Sequence, residues 1–162
     1  AYAYKGERVL AATYDPILDE CFCAEKGKGA LLNGQACHVS QTAELVNAIF
    51  VTGFPYDLDK RANNNISNFA AISMHAQSVG RLGSAVIDLT WVAAGRLDGY
   101  WEVGMNSYDI AAGTLIIEEA GGLVTCLDGS PDYFKPPYEL ITANPKLHPK
   151  MRAVLQKSTP AA

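Results

Sequence analysis

The order of secondary-structure signals constrains the fold of this chain more than any other feature. About the first forty residues carry strand and turn signals only, and the remainder alternates between strand and helix signals. Strands that come first and then alternate with helices suggest layers of sheets and helices. Neither a long internal repeat nor a low-complexity linker interrupts this order, so we expect residues 1–162 to form a single structural unit.

Turn residues separate the predicted strands of the first part. Asp15-Pro16 is one such turn, and Asn33-Gly34 is a dipeptide typical of type I′ hairpins. The predicted strands around these turns are residues 7–14, 20–24, 30–32 and 37–40.

Apolar periodicity, together with glycine and proline, divides the rest of the chain. The predicted strands are residues 46–52, 78–82, 98–103, 123–126 and 139–142. The predicted helices are residues 57–76, 84–94, 109–120 and 145–156. We expect the tail, residues 157–162, to fray.

Composition and charge exclude several classes of function. The chain carries 13 Lys and Arg against 17 Asp and Glu, a formal net charge of −4. This balance argues against nucleic-acid binding, which needs a basic face, and it fits a site for a cation. No apolar run is long enough to cross a bilayer, and no secretion signal opens the chain. The four cysteines are best explained as reduced thiols in the core, so we expect a cytoplasmic protein. From the charge and the short apolar runs, we expect it to bind neither nucleic acid nor membrane.

The segment 102–113 carries the first candidate for chemistry. A predicted strand delivers Glu102, a tight loop follows, and Asp109 opens an apolar helix. A carboxylate at a helix N-terminus is held by backbone N–H groups, which leaves one oxygen free to bind a cation such as Mg²⁺. An ordinary N-cap aspartate is the simpler interpretation of the same residue. The residues alone leave both interpretations of Asp109 open.

The turn at residues 81–85 is the second candidate. Gly83 permits a close backbone approach, and free N–H groups at a helix start can bind an oxygen-rich ligand. Ser84 as a plain N-cap is the alternative. Asp88, in the helix that follows, is predicted to form a structural ion pair with Arg81 or Arg96. No nucleophile with an adjacent base and no nucleotide-binding glycine motif occurs, so no residue is assigned a covalent catalytic role.

Together these segments resemble the inositol monophosphatase family, which comprises Mg²⁺-dependent, lithium-sensitive phosphatases. The resemblance rests on RLGSAVIDLTWVAAGRLDGYWE at residues 81–102 and YDIAAGTLIIEEAGG at residues 108–122. It extends to residues 14–34, 52–57 and 141–151. It implies the α+β fold of that family, a layered α/β sandwich. In the complete protein it implies hydrolysis of inositol 1-phosphate to myo-inositol and phosphate.

The resemblance also implies roles for individual residues. The family's tryptophan-aspartate motif falls on Tyr108-Asp109, so Asp109 is implied to be a Mg²⁺ ligand. The family usually has tryptophan at the position of Tyr108, and often a Lys-Pro pair where this chain has Asn106-Ser107. The residues implied to contact the polyol substrate are Gly83, Ser84, Ala85 and Glu102.

The family's other metal motifs are missing from this chain. Neither its upstream glutamate motif nor its Asp-Pro-Leu-Asp-Gly-Thr motif occurs, and the chain opens with Ala1 instead of methionine. We therefore expect the chain to be the C-terminal, larger part of such a domain, incomplete at its N-terminus and inactive by itself.

The resemblance leaves the substrate and the assembly open. Alternative substrates are fructose 1,6-bisphosphate, 3′-phosphoadenosine 5′-phosphate and histidinol phosphate. A different class of function is a non-catalytic binding or dimerisation module that lacks the metal half. The family resemblance also implies a homodimer.

Overall fold

The first sheet is an antiparallel meander in chain order. The computed structural model describes residues 1–158, and the strands of this sheet are β1 (Tyr2–Tyr4), β2 (Glu7–Asp15), β3 (Glu20–Glu25), β4 (Ala30–Leu32) and β5 (Gln35–Cys37). Asn33 and Gly34 adopt φ angles of 48° and 79°, as the predicted type I′ turn requires. A two-residue turn lets pairing resume at once, so Gln35 lies opposite Leu32. The predicted strand 37–40 is therefore wrong in its bounds.

The second sheet is mixed, and it carries the helices. Its strands are β6 (Ile49–Thr52), β7 (Ser78–Gly80), β8 (Gly99–Glu102), β9 (Leu123–Thr125) and β10 (Leu140–Ala143), in the order β7-β6-β8-β10-β9. Strands β7, β6 and β8 are parallel, and β10 runs antiparallel to β8 and β9. The helices are α1 (Ile66–Ser73), α2 (Ala85–Ala93), α3 (Ser107–Glu119) and α4 (His148–Ser158).

Helices α2 and α3 lie between the two sheets, and α1 and α4 cover the far face of the second sheet. The central strands β6, β8 and β10 are therefore buried on both faces, which is why they are apolar at consecutive positions. Their side chains alternate between two core clusters. Those on the α2 and α3 side are Val51, Tyr100 and Leu140, and those on the α1 and α4 side are Phe50, Trp101 and Ile141. This layering confirms the predicted α+β sandwich.

The predicted long helix over residues 57–76 is wrong, because α1 begins only at Ile66. Asn65 adopts a left-handed conformation with φ 73°, and a right-handed helix cannot continue through it. Its buried side chain donates to Thr52 Oγ1 at 2.8 Å and to the Gly53 carbonyl at 2.6 Å. It also accepts a hydrogen bond from Trp101 Nε1 at 2.7 Å. Asn65 thus ties the end of β6 to β8 instead of continuing a helix.

Smaller differences concern the ends of elements. Residues 45–47 form a 3₁₀ turn, and the predicted strand 46–52 begins only at Ile49. The last helix, α4, continues to Ser158, while the end of the predicted frayed tail lies outside the described residues. None of the helices within residues 1–158 is both long enough and apolar enough to span a bilayer.

Candidate active site

The carboxyl ends of the three parallel strands β7, β6 and β8 meet at one edge of the second sheet. There β6 continues into Gly53, β7 into Arg81, and β8 ends with Glu102. Helices α2 and α3 also begin at this edge, and they pack closely: a Cβ at Gly113 would lie 2.6 Å from the Cβ of Leu89. Ligands of α/β folds commonly bind at such an edge.

A cavity of about 300 Å³ lies at this edge. Its lining includes every residue that the sequence singled out for a site: Gly83, Ser84, Ala85, Glu102 and Asp109. The roles of these residues remain predictions. Their convergence depends on the parallel pairing of β6 with β8 and on the side-by-side starts of α2 and α3.

Glu102 is positioned at the end of β8 by a hydrogen bond from Tyr100 and by the space that Gly53 leaves. The hydroxyl of Tyr100 donates a hydrogen bond to Glu102 Oε2. Burial raises the pKa of Glu102 above its ordinary value, while the hydrogen bond from Tyr100 opposes that shift. A Cβ at Gly53 would lie 2.1 Å from Glu102 Oε2, so only glycine at this position leaves room for the carboxylate. In the sequence, Gly53 only follows the predicted strand 46–52, and nothing there pointed to this contact with Glu102.

Asp109 occupies the third position of α3, so the prediction that it is the N-cap is wrong. Asn106 is the N-cap, and the two residues form a capping box. Asp109 Oδ2 accepts a hydrogen bond from the Asn106 backbone N–H at 2.9 Å. Its Oδ1 has no hydrogen bond to any of the residues that the structure describes. One oxygen is thus fixed by the helix start and the other remains available to a ligand.

The turn before α2 presents backbone groups to the cavity. Gly83 has φ 99°, a conformation that favours glycine. Ser84 is the N-cap residue by position, but its side chain makes no capping hydrogen bond. The interpretation of Ser84 as an ordinary cap therefore accounts for its position but not for its hydroxyl. The first N–H groups of α2 have no partner within the helix, as at any helix start.

Asp88 is the residue that the sequence analysis placed wrongly. The predicted ion pair with Arg96 does not form, because Arg96 binds Glu20 at 2.5 Å, and no ion pair with Arg81 is present among the described residues. Asp88 is 1% exposed, it lines the cavity, and its Oδ1 has no hydrogen-bond partner. Burial, with a further contribution from the charge of Glu102, raises the pKa of Asp88 to about 7. The signal in the sequence was an aspartate inside the otherwise apolar helix AVIDLTWVA.

The charged groups of the lining are three carboxyl groups, on Asp88, Glu102 and Asp109, and the guanidinium of Arg81. The guanidinium lies over the ring of Phe54, with its carbon 5.3 Å from the ring centroid. Within residues 1–158, no group of three or more His, Cys, Asp or Glu side chains is arranged to hold a metal ion.

Comparison with known proteins identifies relatives along nearly the whole chain. The profile of the inositol monophosphatase family matches residues 1–159. An inositol-1-monophosphatase of Synechocystis sp. is 42% identical over 146 residues, which are 90% of this chain and 50% of that protein. The Nus factor SuhB of Pseudomonas aeruginosa is 36% identical over 162 residues, which cover 99% of this chain and 59% of that protein.

A solved structure shares the fold. The inositol monophosphatase from Anabaena (Nostoc) sp. is 39% identical and superposes with a TM-score of 0.87, over 92% of this chain and 59% of that one. The chain thus spans between half and three fifths of the length of these two curated relatives.

Proposed function

The chain belongs to the inositol monophosphatase family, and we propose that the protein hydrolyses phosphate monoesters with Mg²⁺ as cofactor. The proposed substrate is inositol 1-phosphate, and the products are myo-inositol and phosphate. The observation that carries this proposal is the convergence of Glu102, Asp109 and the turn 83–85 on one cavity. A cavity of this kind, with few convergent polar groups, is the form expected of a small-molecule site.

Glu102 and the turn 83–85 are proposed to bind the polyol. The hydrogen bond from Tyr100 fixes Oε2 of Glu102, and Oε1 remains to accept a hydrogen bond from a ring hydroxyl. The hydroxyl of Ser84, which makes no capping bond, can donate to the polyol or accept from it. Free N–H groups at the start of α2 favour oxygen-rich ligands.

Asp109 is proposed to be one Mg²⁺ ligand. Mg²⁺ takes oxygen ligands and is usually held by one or two carboxylates together with substrate phosphate. When bound, the ion would polarise the phosphate oxygens as a Lewis acid. Asp109 fits this role because it lines the cavity and the capping box engages Oδ2, which leaves Oδ1 for a ligand.

Replacing the carboxylate of Asp109 tests the proposed metal role. In the protein as its gene encodes it, Asp109→Asn should lower phosphate release from inositol 1-phosphate at least about 100-fold, because much of the transition-state stabilisation depends on the ion. The amide oxygen can still accept from the Asn106 N–H, so the helix start and the unfolding midpoint should change little. Asp132→Asn, at an exposed ion pair with Lys135, is the matched control. Normal turnover of Asp109→Asn would remove this residue from the metal site.

The 162 residues by themselves are proposed to be inactive. Within residues 1–158 no group of three side chains is arranged to hold a metal ion, and Asp109 as a lone carboxylate would bind Mg²⁺ weakly. The purified 162-residue chain should release no phosphate from inositol 1-phosphate above the buffer blank, with or without Mg²⁺. Mg²⁺-dependent release by this chain would overturn the proposal.

Related phosphate esters are the alternative substrates. Asn106, in the loop at residues 106–107, lines the cavity, and a change there alters the surface that a leaving alcohol meets. Rates on fructose 1,6-bisphosphate, 3′-phosphoadenosine 5′-phosphate and histidinol phosphate, compared with the rate on inositol 1-phosphate, decide between them.

A non-catalytic binding or dimerisation module is the second candidate. It is favoured by the lack of a three-ligand metal cluster within residues 1–158 and by the relative named as a Nus factor. Phosphate release by the protein as its gene encodes it separates this candidate from the enzyme. The implied homodimer remains a prediction that light scattering can test.

A further inference from the structure

Asp88 is a buried carboxyl group whose cost the fold does not offset. It is 1% exposed, and its Oδ1 has no hydrogen-bond partner among the described residues. Leaving a buried polar group unpaired costs folding free energy, and the cost is larger for a group that can ionise. Its neighbours in the helix, such as Leu89 and Val92, are core residues, so Asp88 is a carboxyl group within an otherwise largely apolar helix.

The unpaired oxygen belongs to a group that lines the cavity. Asp88 lies four residues after Ser84, one helical turn further along the same face of α2. Ser84 and Asp88 both line the cavity, together with Glu102 from β8. A ligand in the cavity could therefore reach carboxyl groups from two different elements.

The chemistry of Asp88 and Glu102 points to hydroxyls. Asp109 is the proposed metal ligand, and within residues 1–158 the carboxyl groups of Asp88 and Glu102 do not join it in an arrangement of three that could hold a metal ion. A carboxyl oxygen without a donor is satisfied by an O–H group, and a polyol presents several such groups around its ring.

We infer that Asp88 is a second polyol-binding residue, which accepts a hydrogen bond from one ligand hydroxyl while Glu102 accepts one from another. This inference rests on the proposed function for the class of ligand. Two carboxyl groups on different elements can both accept hydrogen bonds only from hydroxyls at a matching distance. Asp88 therefore contributes to the selection of the alcohol that the site accepts.

The test is the affinity for myo-inositol, measured by NMR titration of the protein as its gene encodes it. Asp88→Leu removes the acceptor in a side chain of similar size and should raise the Kd about tenfold, the loss expected for one hydrogen bond in a buried site. Asp88→Asn keeps an acceptor oxygen and should raise the Kd by about threefold or less. Asp98→Asn is the matched control, because Asp98 is also buried but binds the Ile49 N–H at 2.7 Å.

Three outcomes overturn the inference. The first is equal affinity of the wild type and Asp88→Leu for myo-inositol. The second is that the wild type does not bind myo-inositol. The third is that Asp88→Leu loses affinity for Mg²⁺ while its binding of myo-inositol is unchanged. If Asp88→Leu does not fold, equal loss of affinity in Asp88→Asn and Asp98→Asn has the same meaning. Phosphate release from inositol 1-phosphate by the wild type is scored separately. A protein that releases none, but loses myo-inositol affinity in Asp88→Leu, refutes the proposed function and supports the inference.

Discussion

The variant Asp88→Asn should gain stability relative to the wild type as the pH rises. The free energy of unfolding of the variant should therefore depend less on pH. The carboxyl group of Asp88 has a pKa raised from 3.8 to about 7, mainly because it is buried. The folded state therefore binds the proton more tightly than the unfolded state does. Stability from this group is present below pH 4 and is lost as the pH rises through the interval up to about 7.

The magnitude follows from the pKa difference. Each pKa unit corresponds to about 1.4 kcal/mol, so the full effect of a shift from 3.8 to about 7 is about 4 kcal/mol. At about pH 5 the unfolded carboxyl group is already ionised, and the part lost between about pH 5 and pH 8 is about 2–3 kcal/mol. An amide does not titrate in this range. We therefore expect the stability of Asp88→Asn relative to the wild type to rise by that amount across this interval.

Urea denaturation measures this difference. The fluorescence of the two tryptophans reports unfolding, and Trp101 is fully buried. Half-buried carboxyl groups, such as those of Glu102 and Glu139, also have raised pKa values, so only the difference between variant and wild type at each pH isolates Asp88. Asp98→Asn gives the effect of the same substitution where the carboxylate already has a donor. A difference between Asp88→Asn and wild type that is the same at both pH values would refute the reasoning.

Two further substitutions test the contacts around the cavity. Gly53→Ala places a methyl group 2.1 Å from the original position of Glu102 Oε2, and the carboxylate must move. We expect about a tenfold loss of myo-inositol affinity in an NMR titration, with the urea midpoint nearly unchanged; Gly80→Ala, whose Cβ would lie 4.0 Å from its nearest neighbour, is the control. Asn65→Gly keeps the left-handed backbone but loses the side-chain hydrogen bonds, so unfolding free energy should fall by about 2–4 kcal/mol in urea denaturation. Asn65→Ala should lose more, because alanine is strained at φ 73°. Equal stability of the two variants would show that the backbone conformation at this position costs nothing.

Signals that act over a few residues were read correctly from the sequence. The Asn33-Gly34 turn, the start of α2 after Ser84 and the order of strands and helices all depend on local turn chemistry and periodicity. The resemblance added roles for the residues of the candidate site, because its motifs carry spacing that periodicity alone cannot interpret. The local helix pattern placed Asp109 at the N-cap, a position that the capping box gives to Asn106.

The tertiary structure decided the features that join distant segments. Helix α1 begins at Ile66 because the side chain of Asn65 forms hydrogen bonds with Trp101, 36 residues away, and with the end of β6. Gly53 matters because β6 lies beside β8 and brings its backbone against the carboxylate of Glu102. The sequence by itself determined the local turns and the alternation of strands and helices. Only tertiary packing determined which buried polar groups have a hydrogen-bond partner and which, like Asp88, line a cavity without one. The reason is that burial depends on the layers that pack above and below each element.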